Sequence, residues 1–357
     1  MKTKIIGILI CLMLMTTFLT HAQNIENNSV VDESTKNAPI SNYDVEAPVW
    51  ELGCKWCYKI NKFIIDFKDP DLSLYADIKF DDFCLEVTDI TEEYYELTFD
   101  SLCNGTFWIY FDLGNGIINI STKLQNIDFD GTIILNKTTM GIKELHPTIS
   151  GIFDVEITDQ PYIEFPFKLH KKELVTIDLD IVFDDAHRPI VKFPFNIFDC
   201  WGLPAGNFTL DGTISSPLLD KIDKLNDIIR PILIFLNKTI NGPTIERLLE
   251  FSNILDDILP EIPICYVLTK YLGRENCVFN IPEVPEEPPI ICCLGKDLIT
   301  VLAGTFDCYN ITIALMANLY YNTTIGAIVK FVGNLQDIIP SITNIEIELI
   351  DYYCPDY

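Results

Sequence analysis

Strict alternation of apolar and polar side chains is the feature that most constrains the fold of this chain. In residues 163–170, IEFPFKLH, every odd position is apolar and every even position is polar or proline. The same parity continues through residues 179–183 and 191–197. Because successive side chains of a strand point to opposite faces, each segment has one apolar and one polar face. The pattern predicts an antiparallel sheet that covers a core on one side and faces water on the other.

Two prolines interrupt this pattern at matching places. Pro166 and Pro194 fall on the polar face of the first and third segments, and the segment between them has none. Proline cannot donate a ladder hydrogen bond, so it is tolerated at edges, bends or bulges. We therefore expect a curved sheet.

The period changes to that of a helix after residue 215. Ser215, Ser216 and Pro217 supply a serine cap followed by proline at the first helical position. Apolar residues then recur at three- and four-residue spacing, at positions 218, 222, 225, 229, 232, 236 and 240. Pro231 is expected to kink this helix and residues 241–243, NGP, to end it. A second apolar stripe predicts another helix from residue 245 to residue 259.

Residues 1–22 have the pattern of a secretory signal peptide, with two lysines, an apolar run and a small-residue cleavage site. Eight Asn-x-Ser/Thr motifs follow, which predicts an extracellular or secreted glycoprotein, or one of the endolysosomal lumen. The candidate glycosylation sites are Asn27, Asn104, Asn119, Asn136, Asn207, Asn237, Asn310 and Asn322.

Twelve cysteines are present, and 11 remain once Cys11 is removed with the signal peptide. In an oxidising compartment they are expected to form disulfide bonds, and an odd number leaves one thiol free or paired between two chains. The motif Cys54-Lys55-Trp56-Cys57 is most simply structural, with Cys84 and Cys103 as candidate partners. Redox and zinc interpretations stay open at this point. The adjacent pair at 292 and 293 is expected to reach residues such as Cys308 or Cys354.

The formal net charge of −27 excludes two classes of partner. Nucleic acid and anionic membrane surfaces repel so acidic a chain, which argues against nucleic-acid binding and charge-driven membrane binding. Hydrophobic residues nevertheless make up 48% of the sequence, enough for a large core, so disorder is excluded for most of its length.

Composition also divides the chain. Residues 23–48 are polar and unpatterned, which predicts a flexible leader, and residues 281–289, IPEVPEEPP, predict an extended linker. Residues 49–280 are then the main domain and residues 290–357 a disulfide-stapled C-terminal appendage. Residues 308–329 carry no formal charge, and 22 residues would suffice to span a bilayer, but two glycosylation motifs within them favour a location outside it.

No catalytic or metal-binding motif emerges. The three histidines beyond the signal peptide, His146, His170 and His187, form no HExxH pattern, and no nucleophile elbow or phosphate-binding glycine loop is present. Pairs of neighbouring aspartates are frequent, but adjacent side chains on a strand point to opposite faces. The two catalytic carboxylates of a glycosidase must face the same substrate, so these pairs do not predict one. The sequence therefore predicts a protein that is not an enzyme and needs no cofactor or metal.

Residues 208–260, FTLDGTISSPLLDKIDKLNDIIRPILIFLNKTINGPTIERLLEFSNILDDILP, resemble the last strand, long helix and terminal Leu-Pro of the tubular lipid-binding superfamily. That superfamily includes the bactericidal/permeability-increasing and lipopolysaccharide-binding proteins. The resemblance implies an α+β fold, in which a long curved antiparallel sheet wraps around one or two long amphipathic helices as a single barrel. The chain departs from the family in its acidity, in having no cysteine in residues 215–260, and in having too few residues after 290 for a second barrel.

A fold of this kind implies an apolar tube between sheet and helix, which could hold lipid or another hydrophobic small molecule without charged contacts. Apolar strand residues and the facing helix residues are then the ligand-binding candidates. They are Phe165, Phe167, Leu169, Ile177, Leu179, Ile181, Phe193, Phe195, Ile222, Leu225 and Ile229. The leading hypothesis is thus a secreted, non-enzymatic protein that binds or transfers lipid. The alternative is a disulfide-stabilised surface or matrix glycoprotein that has a solid core and acts through protein–protein contacts or an intermolecular disulfide.

Overall fold

The structure is a computed structural model. It describes residues 45–68, 72–112, 117–160, 168–187, 191–202, 206–240, 245–246, 259–266, 277–281, 291–313, 316–334 and 342–355, with residues 249, 252, 253, 256 and 269. The predicted signal peptide, most of the predicted leader and linker, Asn27, Phe165 and Phe167 lie outside these residues.

Six long strands form the first half of the fold. They are β1 (Lys55–Lys68), β2 (Leu72–Ile90), β3 (Tyr94–Asp112), β4 (Ile117–Asn136), β5 (Ile142–Gln160) and β6 (Lys168–His187), and each pairs antiparallel with the next. The alternating pattern of residues 168–184 is confirmed as strand: along β6, Ile177, Leu179, Ile181 and Phe183 are buried, and Asp178 and Asp180 between them are exposed.

Shorter elements complete the chain. They are β7 (Cys200–Trp201), β8 (Gly206–Ser215), helix α1 (Pro217–Ile240), β9 (Ile262–Pro263), β10 (Val278–Ile281), β11 (Ile291–Val301), β12 (Gly304–Ile313), β13 (Ala317–Asn322), β14 (Ala327–Gly333) and β15 (Ile342–Tyr353). Residues 291–353, which the sequence placed in an appendage, thus add five strands to the main sheet. The described residues between 308 and 329 lie within three of these strands and their turns. Among the described residues, no helix is long and apolar enough to cross a membrane.

One sheet contains all of the described strands. Its order is β10-β8-β6-β5-β4-β3-β2-β1-β15-β14-β13-β12-β11-β7, with β9 beside β8. The first and last long strands of the chain, β1 and β15, therefore meet in the middle of the sheet. Their pairing runs from Lys55 opposite Tyr353 to Ile65 opposite Ile342. This junction joins the N-terminal and C-terminal hairpins into a single surface.

The two ends of this sheet are joined by a very short connection. The path from β8 to β7 crosses thirteen strands, which would measure about 58 Å across if the sheet were flat. Yet β7 ends at Trp201 and β8 begins at Gly206, so the chain between them spans at most about 18 Å. The sheet must therefore curl until its two edges approach each other.

Glycines at close strand contacts permit this curvature. At Gly131 and Gly212 the backbone has φ of 156° and 145°, and an added Cβ would lie 2.2 Å and 2.1 Å from a carbonyl oxygen of the adjacent strand. No other residue fits such an approach, and glycine kinks bend long strands. Of the two prolines expected to curve the sheet, Pro194 lies outside any strand and Pro166 lies outside the described residues.

Curling encloses the apolar face in a main core. Its buried side chains come from β1 to β6, β8 and β11 to β15, and include Ile78, Ile127, Ile181, Phe208 and Ile311. A second core lies around Trp56 and Leu349, where β1, β3, β14 and β15 continue past the first. Three side chains that are partly buried, Phe83, Phe193 and Ile347, pack against both cores.

The predicted strand at residues 191–197 is wrong. This segment makes an isolated bridge between Phe195 and Val45 and otherwise has no strand partner among the described residues. Its alternating apolar side chains nevertheless pack against the main core, with Val191 and Phe195 buried and Phe193 and Ile197 partly buried. There, Phe195 contacts the rings of Trp201, Tyr309 and Tyr321.

The predicted fold class is also wrong, because the sheet does not wrap around a helix and the fold is predominantly antiparallel sheet. Helix α1 has the predicted limits, and the Ser216 hydroxyl accepts a hydrogen bond from the Leu219 backbone N–H at its first turn. However, the space inside the curled sheet is filled by the sheet's own side chains, including Trp201, and by Val191 and Phe195. Helix α1 is left outside, with much of its apolar surface exposed.

Four disulfides are present: Cys54–Cys354, Cys57–Cys84, Cys200–Cys292 and Cys265–Cys277. The structural interpretation of the CxxC motif is confirmed, although its two cysteines bond to different partners. Cys84 bonds to Cys57 as anticipated, whereas Cys103 is free. The expected bonds from the adjacent pair to Cys308 or Cys354 are wrong, because Cys292 bonds to Cys200 and Cys354 to Cys54. Among the described residues, three cysteines rather than one are free: Cys103, Cys293 and Cys308, all buried.

The Cys54–Cys354 disulfide should contribute more to stability than any short-range disulfide. In a chain-entropy model its 300-residue separation is worth about 5.5 kcal/mol, against about 3.5 kcal/mol for the 27-residue separation of Cys57–Cys84. We therefore expect the double variant Cys54→Ser, Cys354→Ser to unfold at a lower temperature than the control Cys57→Ser, Cys84→Ser. Thermal unfolding followed by circular dichroism makes the comparison, and an equal or smaller loss in the first variant would contradict it.

Candidate functional sites

Helix α1 presents a row of large apolar side chains to solvent. We call Leu225, Ile228, Ile229, Ile232 and Phe235 the apolar face of α1; their exposed fractions are 54%, 65%, 38%, 53% and 66%. Residues spaced by three and four lie on one side of a helix, so these side chains form one continuous surface. Single exposed apolar residues are common, but a contiguous row of them marks an interaction site.

The opposite side of α1 is attached to the rest of the protein. Asn226 and Ser252 are buried, with the Asn226 Nδ2 donating to the Ser252 carbonyl at 3.0 Å and the Ser252 hydroxyl donating to Asn226 Oδ1 at 2.6 Å. Arg230 pairs with Asp256 at 2.5 Å, and Leu233 is buried. The described residues of the predicted second helix, at 245–256, are helical. This packing holds α1 in place and turns its apolar face outward.

The structure separates the two halves of the predicted ligand site. Ile177, Leu179, Ile181 and Phe195 are buried in the main core, and Phe193 packs against it. Leu225 and Ile229 lie on the exposed apolar face of α1. The side chains of Leu169 and Ile222 are not among those described. The strand and helix residues therefore do not line one tube.

Sequence reasoning did not place Ile228, Ile232 and Phe235 among the candidate binding residues. Only Ile232 of these three belongs to the predicted apolar stripe. The stripe was interpreted as the side that packs on the sheet. A signal was present in residues 228–236, IIRPILIFL, where Arg230 is the single charged residue. A helix that is apolar on all sides needs a partner on more than one side.

A second surface feature is an acidic cleft of about 400 Å³ on the sheet. It is lined by Asp81, Asp82, Asp100, Ser101, Leu102, Asp128, Phe129, Asp130 and Ser150. Asp100 on β3 and Asp130 on β4 are directly opposed in the ladder, a like-charge pair that destabilises a sheet. No lysine or arginine lines the cleft, and no three His, Cys, Asp or Glu side chains in the described ranges are placed to hold a metal ion.

Crowding of these carboxylates affects Asp130 most. Partial burial raises the pKa of Asp130, and the nearby carboxylates of Asp128, Asp178 and Asp100 raise it further. The deprotonated form is therefore less stable in the folded protein than in the unfolded chain.

Two of the histidines, His146 and His170, contact surface carboxylates. His146 contacts Asp180 at 2.8 Å, and His170 contacts Asp154 at 2.6 Å. The hydrogen bond and the charge of His170 lower the pKa of Asp154, assisted by Lys172. His146 and His170 thus contact carboxylates of the strands and do not line the acidic cleft.

The free thiols are poor nucleophiles. Burial raises the pKa of Cys103 to about 12, and burial together with Asp307 and Asp297 raises that of Cys308 to about 12. Because the thiolate is the reactive form, these cysteines are unreactive at neutral pH. They fill the cores rather than form a redox site.

The glycosylation motifs differ in their accessibility. Asn322 is buried, and its Nδ2 donates to the Asp307 carbonyl at 2.9 Å, so the atom that a glycan needs is occupied. The Asn310 Nδ2 donates to Asp297 at 2.7 Å. In contrast, the Asn104 and Asn136 Oδ1 atoms accept backbone hydrogen bonds, which leaves their nitrogens available. Asn119, Asn207 and Asn237 are partly exposed.

No protein-family model matches this chain, and no curated protein or solved structure matches it significantly. The resemblance to the tubular lipid-binding superfamily therefore stays a prediction, and the helix-centred fold that it implied is corrected above.

Replacing Asp130 should stabilise the protein in a pH-dependent way. A folded-state pKa that is raised favours folding at low pH and opposes it once the carboxyl ionises, so Asp130→Asn should raise the unfolding temperature at about pH 7 but not at about pH 3. Asp184→Asn, at an exposed position on β6, is the matched control and should show no such gain. Thermal unfolding at both pH values tests this; equal effects of the two substitutions at neutral pH would contradict it.

Proposed function

We propose that this protein is a secreted, non-enzymatic protein that binds lipid or another hydrophobic molecule through the apolar face of α1. The observation that carries the proposal is the exposure of five large apolar side chains on one side of a helix whose other side is anchored. Covering five side chains that are about half exposed contributes about 5 kcal/mol before the cost of association is subtracted. This contribution requires no charged contact.

Secretion is supported by the covalent structure. Four disulfides fit a protein that folds in an oxidising compartment. The glycosylation motifs at Asn104, Asn119 and Asn207 lie on strands with partly exposed side chains, as a secreted glycoprotein requires.

The non-enzymatic part of the proposal rests on what the reactive side chains do. The CxxC cysteines are bonded to distant partners, the free thiols are buried and protonated, and two histidines are in surface ion pairs. These described side chains thus have structural roles, which supports a non-enzymatic protein.

A second candidate function is that of a surface or matrix glycoprotein that acts through protein–protein contacts. The filled main core favours it, because aromatic side chains such as Phe195 and Trp201 occupy the interior where the first hypothesis placed a ligand. An exposed apolar helix face also suits a protein partner.

Binding of the neutral fluorescent dye Nile red tests whether the apolar face of α1 accepts hydrophobic molecules. We expect dye fluorescence to rise with the parent protein and to fall severalfold with Ile228→Gln, Ile232→Gln, because glutamine keeps the helix but removes the apolar surface. The matched control is Ile152→Gln, Leu174→Gln, which changes two aliphatic side chains that are 58% and 52% exposed on the sheet.

The control should bind the dye like the parent. Unchanged dye binding by Ile228→Gln, Ile232→Gln would remove the basis of the proposal. Native-state protection of the three buried thiols from Ellman's reagent verifies that each variant is folded.

A further inference from the structure

We infer that the partner of the apolar face of α1 is the surface of a zwitterionic phospholipid bilayer, on which α1 lies parallel to the membrane plane. The inference rests on the proposed function and specifies its ligand as an assembled lipid surface rather than a single enclosed lipid.

The geometry of the face fits a flat surface. Leu225, Ile228, Ile232 and Phe235 follow one another at intervals of three, four and three residues, which gives a nearly straight row about 15 Å long on one side of the helix. Interfacial helices insert such a row into the boundary between head groups and acyl chains. A row that stands out from the protein suits insertion, whereas a single lipid needs a concave pocket.

The chemistry of the face favours acyl chains over a protein partner. Its members are leucine, isoleucine and phenylalanine, whereas the residues that dominate protein interfaces are tryptophan, tyrosine and arginine. The one arginine of α1, Arg230, is on the anchored side and paired with Asp256.

The net charge of the protein distinguishes between the possible partner surfaces. A second copy of this chain would also carry −27, and an anionic membrane is negative, so both repel the protein. A zwitterionic surface has no net charge to oppose the approach. The acids of the helix are confined to its first half, at Asp220, Asp223 and Asp227, whereas residues 228–240 contain no aspartate or glutamate and include Lys238. Repulsion by the head-group phosphates is therefore smallest along Ile228, Ile232 and Phe235.

The remainder of the helix is compatible with this orientation. Lys221 lies four residues before Leu225, on the side of the apolar face, and is exposed, so its ammonium group can reach head-group phosphates. Asp223 lies three residues before Asn226 and seven before Arg230, a spacing that places it on the same, anchored side of the helix. Bilayer contact therefore does not require α1 to detach from the protein.

Co-sedimentation of the full-length secreted protein with phosphatidylcholine vesicles tests the inference. We expect the parent and the control Ile152→Gln, Leu174→Gln to bind, and Ile228→Gln, Ile232→Gln to bind at least tenfold more weakly. Adding phosphatidylserine to the vesicles should weaken binding of the parent at low salt, and added salt should restore it, because salt screens the repulsion between protein and lipid.

Several results would overturn the inference. One is the absence of binding to phosphatidylcholine vesicles, and another is stronger binding to phosphatidylserine vesicles that salt abolishes, since charge would then drive it. A third is a dimer in sedimentation velocity that Ile228→Gln, Ile232→Gln dissociates, which would make a second copy the partner. If Nile red binds at α1 and vesicles do not, the bilayer is wrong and the proposed function stands; if neither binds at α1, both fail.

Discussion

The connection between Trp201 and Gly206 is the constraint on which the rest of the structure depends. A sheet of this width has a large apolar face, and burying that face is what stabilises a β protein. The short connection brings the two edges together, so the apolar face closes upon itself. Pairing of β1 with β15 makes this possible, because it joins the two sets of hairpins into a single sheet long enough to curl. Helix α1 is then not needed to fill the interior.

Local features of the fold could be predicted from the sequence, and long-range ones could not. The parity of residues 177–183 identified the buried side of β6, and the serine cap followed by Pro217 identified the start of α1. Both depend on neighbouring residues. The pairing of β1 with β15 depends on residues almost 300 positions apart, for which a single sequence holds no signal. The same is true of Cys54 and Cys354.

The candidate site shows the same limit. Leu225 and Ile229 were predicted as binding residues, and they lie on the exposed face of α1. The strand residues assigned with them, such as Leu179, are core. An apolar stripe shows that a helix must be covered on that side, but whether the cover is its own sheet or another molecule depends on where the helix is placed. The placement follows from how the sheet closes, so the error in the site has the same origin as the error in the fold.

Mapping the disulfides of the unreduced secreted protein by mass spectrometry tests the closure of the sheet most directly, with fragmentation that separates Cys292 from Cys293. The account predicts a bond between Cys200 and Cys292, which holds β7 beside β11 at one end of the sheet, and free thiols at Cys103, Cys293 and Cys308. If Cys200 is found free, or bonded to any other cysteine, β7 does not pair with β11 as described, and the curled sheet that leaves α1 outside is contradicted.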